Sequence, residues 1–170
     1  MKLTADMQRV VTEQQLGFVA TVTADGRPNV SPKGTTAVWD DQRLWFADIS
    51  SPGTIANLAS KPWVVINVVD PITRTGYRFR GRASVHTDGS TYEDGLARLA
   101  ARGSTTGRER VRSIVLIEVH EADALISPAY AAGADGPELA RRWLHHHARL
   151  HPEADGGSTG EPSRSGQEPS

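Results

Sequence analysis

Apolar and polar residues alternate with a period of two along several short segments, the pattern of β-strands with one buried face. Asp25-Gly26, between two such segments, is typical of a tight hairpin turn. The segment 63–69 is nearly all apolar and β-branched, so we expect a central strand that is covered on both faces. The predicted strands span 18–23, 29–31, 35–39, 43–47, 63–69, 77–87 and 112–121.

Four helices are predicted from caps and apolar spacing. The first follows Thr4, because Met7, Val10 and Val11 recur at helical spacing, and we expect Gly17 to end it. The others are expected to begin at Thr54, at the capping-box sequence Ser90-Thr91-Tyr92-Glu93 and at Pro137, and to run to 59, to about Gly103 and to 150. Strands and helices do not alternate regularly, so the order predicts a mainly β fold, an antiparallel barrel of six to seven strands with peripheral helices.

Composition narrows the class of protein. The 170 residues carry a formal net charge of −1, with a pI of about 6.6, so no overall field attracts nucleic acid or an anionic membrane. The absence of cysteine removes disulfides, thiolate metal sites and cysteine nucleophiles. The first residues lack an apolar signal core, and no apolar run approaches the roughly 20 residues that cross a bilayer. We therefore expect a cytoplasmic protein with no membrane or nucleic-acid partner.

The chain divides into three parts by composition. We expect a barrel domain over residues 1–130, a C-terminal helix over 131–151 and a disordered tail over 152–170. The tail is rich in Pro, Gly, Ser and Glu and has no apolar residue larger than alanine, so burial cannot offset the entropy of ordering it. His145, His146 and His147 point in different directions on a helix, so we expect no metal site there.

The segment between the fourth strand and the second helix has the features of an anion site. It is short, rich in hydroxyl groups and contains glycine, and helix N-termini present unpaired N–H groups and a positive dipole end. An alternative interpretation is that Thr54 only caps the helix and that the Ser-Pro pair only makes a turn. The candidate residues are Ser50, Ser51, Gly53, Thr54 and Asn57.

Basic residues supply two further candidates. Lys33, one of three lysines, precedes Gly34, where the lack of a Cβ would let a flat ring approach the backbone. Arg78, Arg80 and Arg82 alternate with aromatic residues and should share one strand face. These guanidinium groups would repel one another unless anions or carboxylates lie opposite, so the face is a candidate for a phosphate, an acidic substrate or a subunit contact. A solvated lysine and a solvated strand face are the alternative interpretations.

In order and spacing, three groups of motifs resemble the FMN-binding split-barrel family of pyridoxamine 5'-phosphate oxidase. The resemblance covers about residues 4–127. It implies a split β-barrel homodimer with flavin sites at the subunit interface. The motifs are Asp25-Gly26-Arg27-Pro28 leading into Ser31-Pro32-Lys33-Gly34, then Ala47-Asp48 with Thr54, Asn57 and Leu58, then Gly81-Arg82-Ala83.

The resemblance also implies roles for individual residues. The isoalloxazine would lie along the strand 30–36, and the phosphate near 50–54. Many relatives carry a lysine immediately before the phosphate-loop threonine, where this chain has Gly53. The residues assigned to the cofactor on this basis are Ser31, Lys33, Gly34, Thr35, Asp48, Ser50, Ser51, Thr54 and Asn57, with Arg78 and Arg80 as possible anion partners; no catalytic acid or base is distinguishable.

The sequence thus predicts an FMN-binding oxidoreductase, and residues 1–130 form its flavin-binding domain. Its substrate would be a small molecule that the sequence does not identify. A deazaflavin-dependent reductase and a non-catalytic flavin-binding or electron-carrier protein are the alternatives, because relatives also use a deazaflavin coenzyme and some bind heme. An RNA-binding barrel is a further alternative, since arginines interleaved with aromatic residues also occur on single-strand platforms.

Overall fold

The computed structural model describes residues 1–151, and the segment 152–170, predicted to be a disordered tail, lies outside the described residues. The seven strands are β1 (Gly17–Val22), β2 (Pro28–Lys33), β3 (Ala37–Val38), β4 (Arg43–Asp48), β5 (Trp63–Asp70), β6 (Thr75–His86) and β7 (Ser113–Ile126). The helices are α1 (Ala5–Gln14), α2 (Pro52–Ser60), α3 (Gly89–Ala101), α4 (Pro128–Ala131) and α5 (Gly136–Leu150), with a 3₁₀ turn at Arg108–Arg110.

The strands form one curled antiparallel sheet in the order β2-β1-β5-β6-β7-β4-β3. Gly26, in the left-handed region at φ 90°, closes the predicted hairpin between β1 and β2. The prediction of a mainly β, antiparallel split barrel with peripheral helices is confirmed. None of the described helices is long and apolar enough to span a membrane.

The core lies on the concave face of the sheet. Its largest fully buried side chains include Leu44, Phe46, Ile66, Phe79 and Ile117. Burying each such side chain contributes about 1.5–3 kcal/mol, so the interior of the barrel is the main source of stability. The other face of β4 and β7 packs against α3 in a second cluster around Trp45, Leu99 and Ile114.

Two predicted helix ends are wrong. The side chain of Thr4 caps α1 as expected, but α1 ends at Gln14, and Gln15 takes the left-handed conformation with φ 53°. Gly17 instead begins β1, where a Cβ would lie 2.6 Å from the Oγ1 atom of Thr36. The glycine is needed for close packing rather than for ending the helix.

The start of α3 also differs from the prediction. Asp88 is its N-cap residue and makes no side-chain cap hydrogen bond, so the predicted capping box at Ser90 does not form. Gly89, at φ 77°, turns the chain into the helix one residue earlier. In α5, by contrast, Pro137 lies in the first turn and Asp135 accepts a hydrogen bond from the Glu138 amide, so the predicted helix start is confirmed.

The prediction that both faces of the 63–69 strand are covered is wrong for the described chain. In β5, Val64, Ile66 and Val68 are buried, whereas Trp63 on the opposite face is 59% exposed. The apolar run therefore leaves one apolar face of the sheet uncovered. Strand β3 is also shorter than predicted, and β7 continues to Ile126 because it pairs with the whole of β6.

Candidate functional site

The end of β2 brings two candidate residues to the interior of the barrel. Ser31 pairs with Val19, and Lys33 pairs with Gly17, on neighbouring β1. Because Val19 is fully buried, the period of two places Ser31 and Lys33 on the inner face and Val30 on the outer face. The alternation of β2 thus aims a lysine into the mouth of the barrel.

Lys33 connects β2 to the loop before α2. Its Nζ atom lies 2.5 Å from the Oγ atom of Ser31 and 2.5 Å from the Oγ atom of Ser51. The Ser51 amide donates to the Oδ1 atom of Asp48 at 2.8 Å, which fixes the loop on the end of β4. The structure therefore brings together four of the predicted site residues in one hydrogen-bonded group.

Burial makes the Lys33 ammonium electrostatically unusual. The residue is only 5% exposed, and its Nζ atom lies 5.7 Å from the ring centroid of Phe46. Within residues 1–151, it has no carboxylate within salt-bridge distance. Burial lowers the pKa of Lys33 below its ordinary value of 10.5, and the charge of Asp48 partly opposes this shift. The charge is thus solvated by neutral hydroxyl groups.

The N-terminus of α2 lies beside this group. Ser51 is its N-cap residue but makes no side-chain cap hydrogen bond, and no acidic residue lies in the first turn. Pro52 has no N–H group, and none of the hydrogen bonds described for 1–151 uses the amides of Gly53 or Thr54. A positive helix end with two unused donors therefore adjoins a buried ammonium group.

A buried amide–hydroxyl contact holds α2 in place. Asn57 donates from Nδ2 to the Oγ1 atom of Thr21 at 2.9 Å, and Asn29 donates to the same oxygen at 3.2 Å. Thr21 is only 2% exposed. The sequence analysis included Asn57 but missed Thr21. A polar residue in the inward row that also holds Val19 was the available signal.

The turn after β2 is fixed by side chains, which leaves its backbone accessible. Thr35 bonds through Oγ1 to both the amide and the carbonyl of Ala47, at 2.9 and 3.2 Å. Thr36 donates through Oγ1 to the Lys33 carbonyl at 2.8 Å. Gly34 is exposed, and a Cβ there would meet nothing within 4 Å. A flat group can therefore approach this turn.

A groove of about 310 Å³ adjoins the same turn. Gly34 and Thr35 form one wall, and Arg102 and Ser104, at the end of α3, lie on another. Arg102 donates to the Thr35 carbonyl at 3.1 Å, and burial lowers its pKa. The sequence analysis did not identify Arg102, because only the fold brings the end of α3 beside β2.

Arg78 and Arg80 do not reach this group of residues within one chain. They lie on the outer face of β6, as the alternation predicted, two strands away from β1 in the sheet. Arg80 forms ion pairs with Asp123 and with Glu121 on β7, and Arg78 donates to Asn67 at 3.3 Å. Carboxylates therefore lie opposite one of the arginines, which relieves the repulsion between them. Ser50 is exposed at the loop surface.

The outer face beside these arginines is apolar. Phe18 on β1, Val30 on β2 and Trp63 on β5 are 46%, 62% and 59% exposed. The register pairs Val30 with Ala20 and Ala20 with Val65, so the three neighbouring strands form one continuous surface. An apolar surface that spans three strands is typical of an interface.

Comparisons with known proteins identify the family. The family model described as pyridoxamine 5'-phosphate oxidase matches residues 3–125, which is more than half of the chain. HupZ from Group A Streptococcus is 30% identical, with a TM-score of 0.66, over 74% of this chain and 95% of its own.

Two other solved structures share the fold at lower identity. An FMN-binding protein from Syntrophomonas wolfei is 14% identical, with a TM-score of 0.58, over 69% of this chain and 82% of its own. An F420 reductase is 20% identical, with a TM-score of 0.58, over 71% of this chain and 98% of its own. No curated protein matches the chain. On the evidence of the family model and HupZ, the chain belongs to the pyridoxamine 5'-phosphate oxidase family.

Proposed function

We propose that this protein binds FMN and acts as an oxidoreductase on a small molecule. The observation that carries the proposal is the meeting of a buried ammonium and a helix N-terminus at Ser51. Lys33 donates to the Ser51 hydroxyl, and the amides of Gly53 and Thr54 begin the helix that follows. Both features suit a phosphate group, and membership of the family supports a flavin as its carrier.

The residues present fit a phosphorylated flavin at both of its ends. At the phosphate end, the uncapped amides of Gly53 and Thr54 and the Ser51 hydroxyl offer donors. At the ring end, Gly34 lets a planar group approach the backbone, and hydrogen bonds described for the structure leave the amides of Gly34 and Thr35 unused. The bound flavin supplies hydride or electron transfer, while these residues position it.

The proposal includes a homodimer. The apolar surface of Phe18, Val30 and Trp63 would be covered by a second copy, which would also bring partner residues toward the cofactor. Arg78 and Arg80, which do not reach the loop within one chain, lie on this same outer face. Light scattering should give the mass of a dimer, and Val30→Glu should shift it toward the monomer. A monomeric wild-type protein would count against this part of the proposal.

The first experiment is an absorbance spectrum of the purified protein, followed by mass identification of any molecule released on denaturation. The proposal predicts flavin bands and FMN. Heme or a deazaflavin in the released fraction would reassign the cofactor. Protein that is colourless and neither quenches FMN fluorescence nor gains thermal stability with FMN would contradict the proposal.

A deazaflavin-dependent reductase is the second candidate, and the shared fold with an F420 reductase favours testing it. The two cofactors can be titrated in competition against the same protein. The FMN proposal predicts that FMN displaces the deazaflavin. Reversible redox change without turnover, with any nicotinamide donor, would indicate an electron carrier instead of an enzyme.

A further inference from the structure

We infer that Lys33 supplies, from β2, the positive charge that this chain's phosphate loop does not carry, and that the site therefore selects phosphorylated over unphosphorylated flavin. This inference rests on the proposed function. It assigns the cation to a strand residue 20 positions before Gly53 rather than to the loop.

The loop and the helix contain no cation of their own. The sequence from Ile49 to Ser60 has no lysine or arginine, and α2 has no basic residue in its last turn. A phosphate monoester carries about −1.5 to −2 charges at neutral pH. Backbone amides alone would leave much of that charge unpaired, so a nearby ammonium has a large effect on affinity.

Lys33 is positioned to provide that charge. Its Nζ atom already contacts the hydroxyl of the N-cap residue, Ser51, at 2.5 Å. An ammonium group has three donors, and the described hydrogen bonds use two of them, both to neutral serine hydroxyls. A buried cation of this kind gains more from an anionic acceptor than an exposed one does, since water competes little for it.

The two serines make the exchange of partners possible. A hydroxyl both donates and accepts, so Ser31 and Ser51 can accept from Lys33 in one state and donate to a phosphate oxygen in another. Asp48 holds the Ser51 amide at 2.8 Å in either case, which keeps the loop in position. The geometry therefore needs only hydroxyl rotation and a small movement of the lysine chain.

A purely mechanical role for Lys33 is the competing explanation. In that case the lysine would only tie β2 to the loop, and its removal would disturb the ring end and the phosphate end alike. The two explanations differ in one measurable quantity, the ratio of FMN affinity to riboflavin affinity, because the two ligands share the ring and differ in the phosphate.

The test compares Lys33→Met and Lys33→Gln with the wild-type protein by flavin fluorescence quenching. Lys61→Met is the matched control, because its ammonium also bonds neutral oxygens, the Thr23 and Ala24 carbonyls at 3.1 Å, beyond the other end of α2. We expect both Lys33 variants to lose about 10- to 100-fold in FMN affinity, the range of a charged hydrogen bond. Riboflavin affinity should change less than about threefold by the same reasoning, and Lys61→Met should change neither.

Two results are decisive against the inference. Equal losses for FMN and riboflavin in the Lys33 variants would show a mechanical role, while the proposed function would stand. Unchanged FMN affinity would show that the phosphate binds without Lys33. If the wild-type protein binds neither flavin, the proposed function itself fails. Glutamine can still hydrogen-bond both serines, so it keeps the test available if the methionine variant does not fold.

Discussion

Replacing Thr21 with valine tests how α2 is held against the barrel. The change keeps the shape of the side chain but removes the oxygen that accepts from Asn57 at 2.9 Å. Asn57 is only 8% exposed, so water cannot readily replace the lost acceptor. An unsatisfied buried donor costs about 1–3 kcal/mol, and we expect the free energy of unfolding to fall by that amount. For a chain of this size, each lost kcal/mol lowers the melting temperature by about 2–4 °C.

Urea unfolding followed by tryptophan fluorescence measures this loss, with an unchanged m-value as evidence that both states remain comparable. The control is a double-mutant cycle with Asn57→Leu. Removing both partners eliminates the unpaired amide, so the double variant should lose less stability than the sum of the two single variants. A loss below about 0.5 kcal/mol for Thr21→Val, or simple additivity in the cycle, would refute the reasoning.

Three further predictions concern packing and charge. Gly76→Ala should destabilise the protein by at least about 1–3 kcal/mol in urea unfolding, because the new Cβ would lie 2.1 Å from the Val68 carbonyl oxygen; a change near zero would mean that β5 and β6 move apart freely. Arg80→Ala should change stability by less than about 1 kcal/mol, because its ion pairs are substantially exposed, and a larger loss by the same method would show that they are not screened. Burial lowers the pKa of Lys33, so the folded state holds this proton less tightly than the unfolded state; the stability of the wild type relative to Lys33→Met should rise with pH through the window that ends at 10.5, and a flat difference from pH 8 to 10 would contradict the shift.

Local patterns predicted the strands well because each needs only its own residues. Asp25-Gly26 determines a hairpin through the backbone freedom of Gly26. The alternation around Phe79 determined which face of β6 would be buried, and Phe79 is 1% exposed. The features that local patterns missed depend on neighbouring strands. The end of α1 depends on the packing of Gly17 against Thr36, which no helix signal contains.

The candidate site was predictable in its parts but not in its arrangement. The hydroxyl-rich loop and Lys33 were each visible in the sequence. Their contact joins residues 18 positions apart on different elements, and it depends on which face of β2 points inward. Thr21 and Arg102 were missed for the same reason, because their roles come from pairing with Asn57 and Thr35 across the fold. The apolar run of β5 was interpreted as doubly covered, since a sequence does not show whether a second chain supplies the cover.

The most direct test of the central claim is a crystal structure of the protein with FMN bound. We predict that the phosphate lies within hydrogen-bond distance of the amides of Gly53 and Thr54 and of the Lys33 Nζ atom. A phosphate held elsewhere, with Lys33 still bonded only to Ser31 and Ser51, would contradict the account.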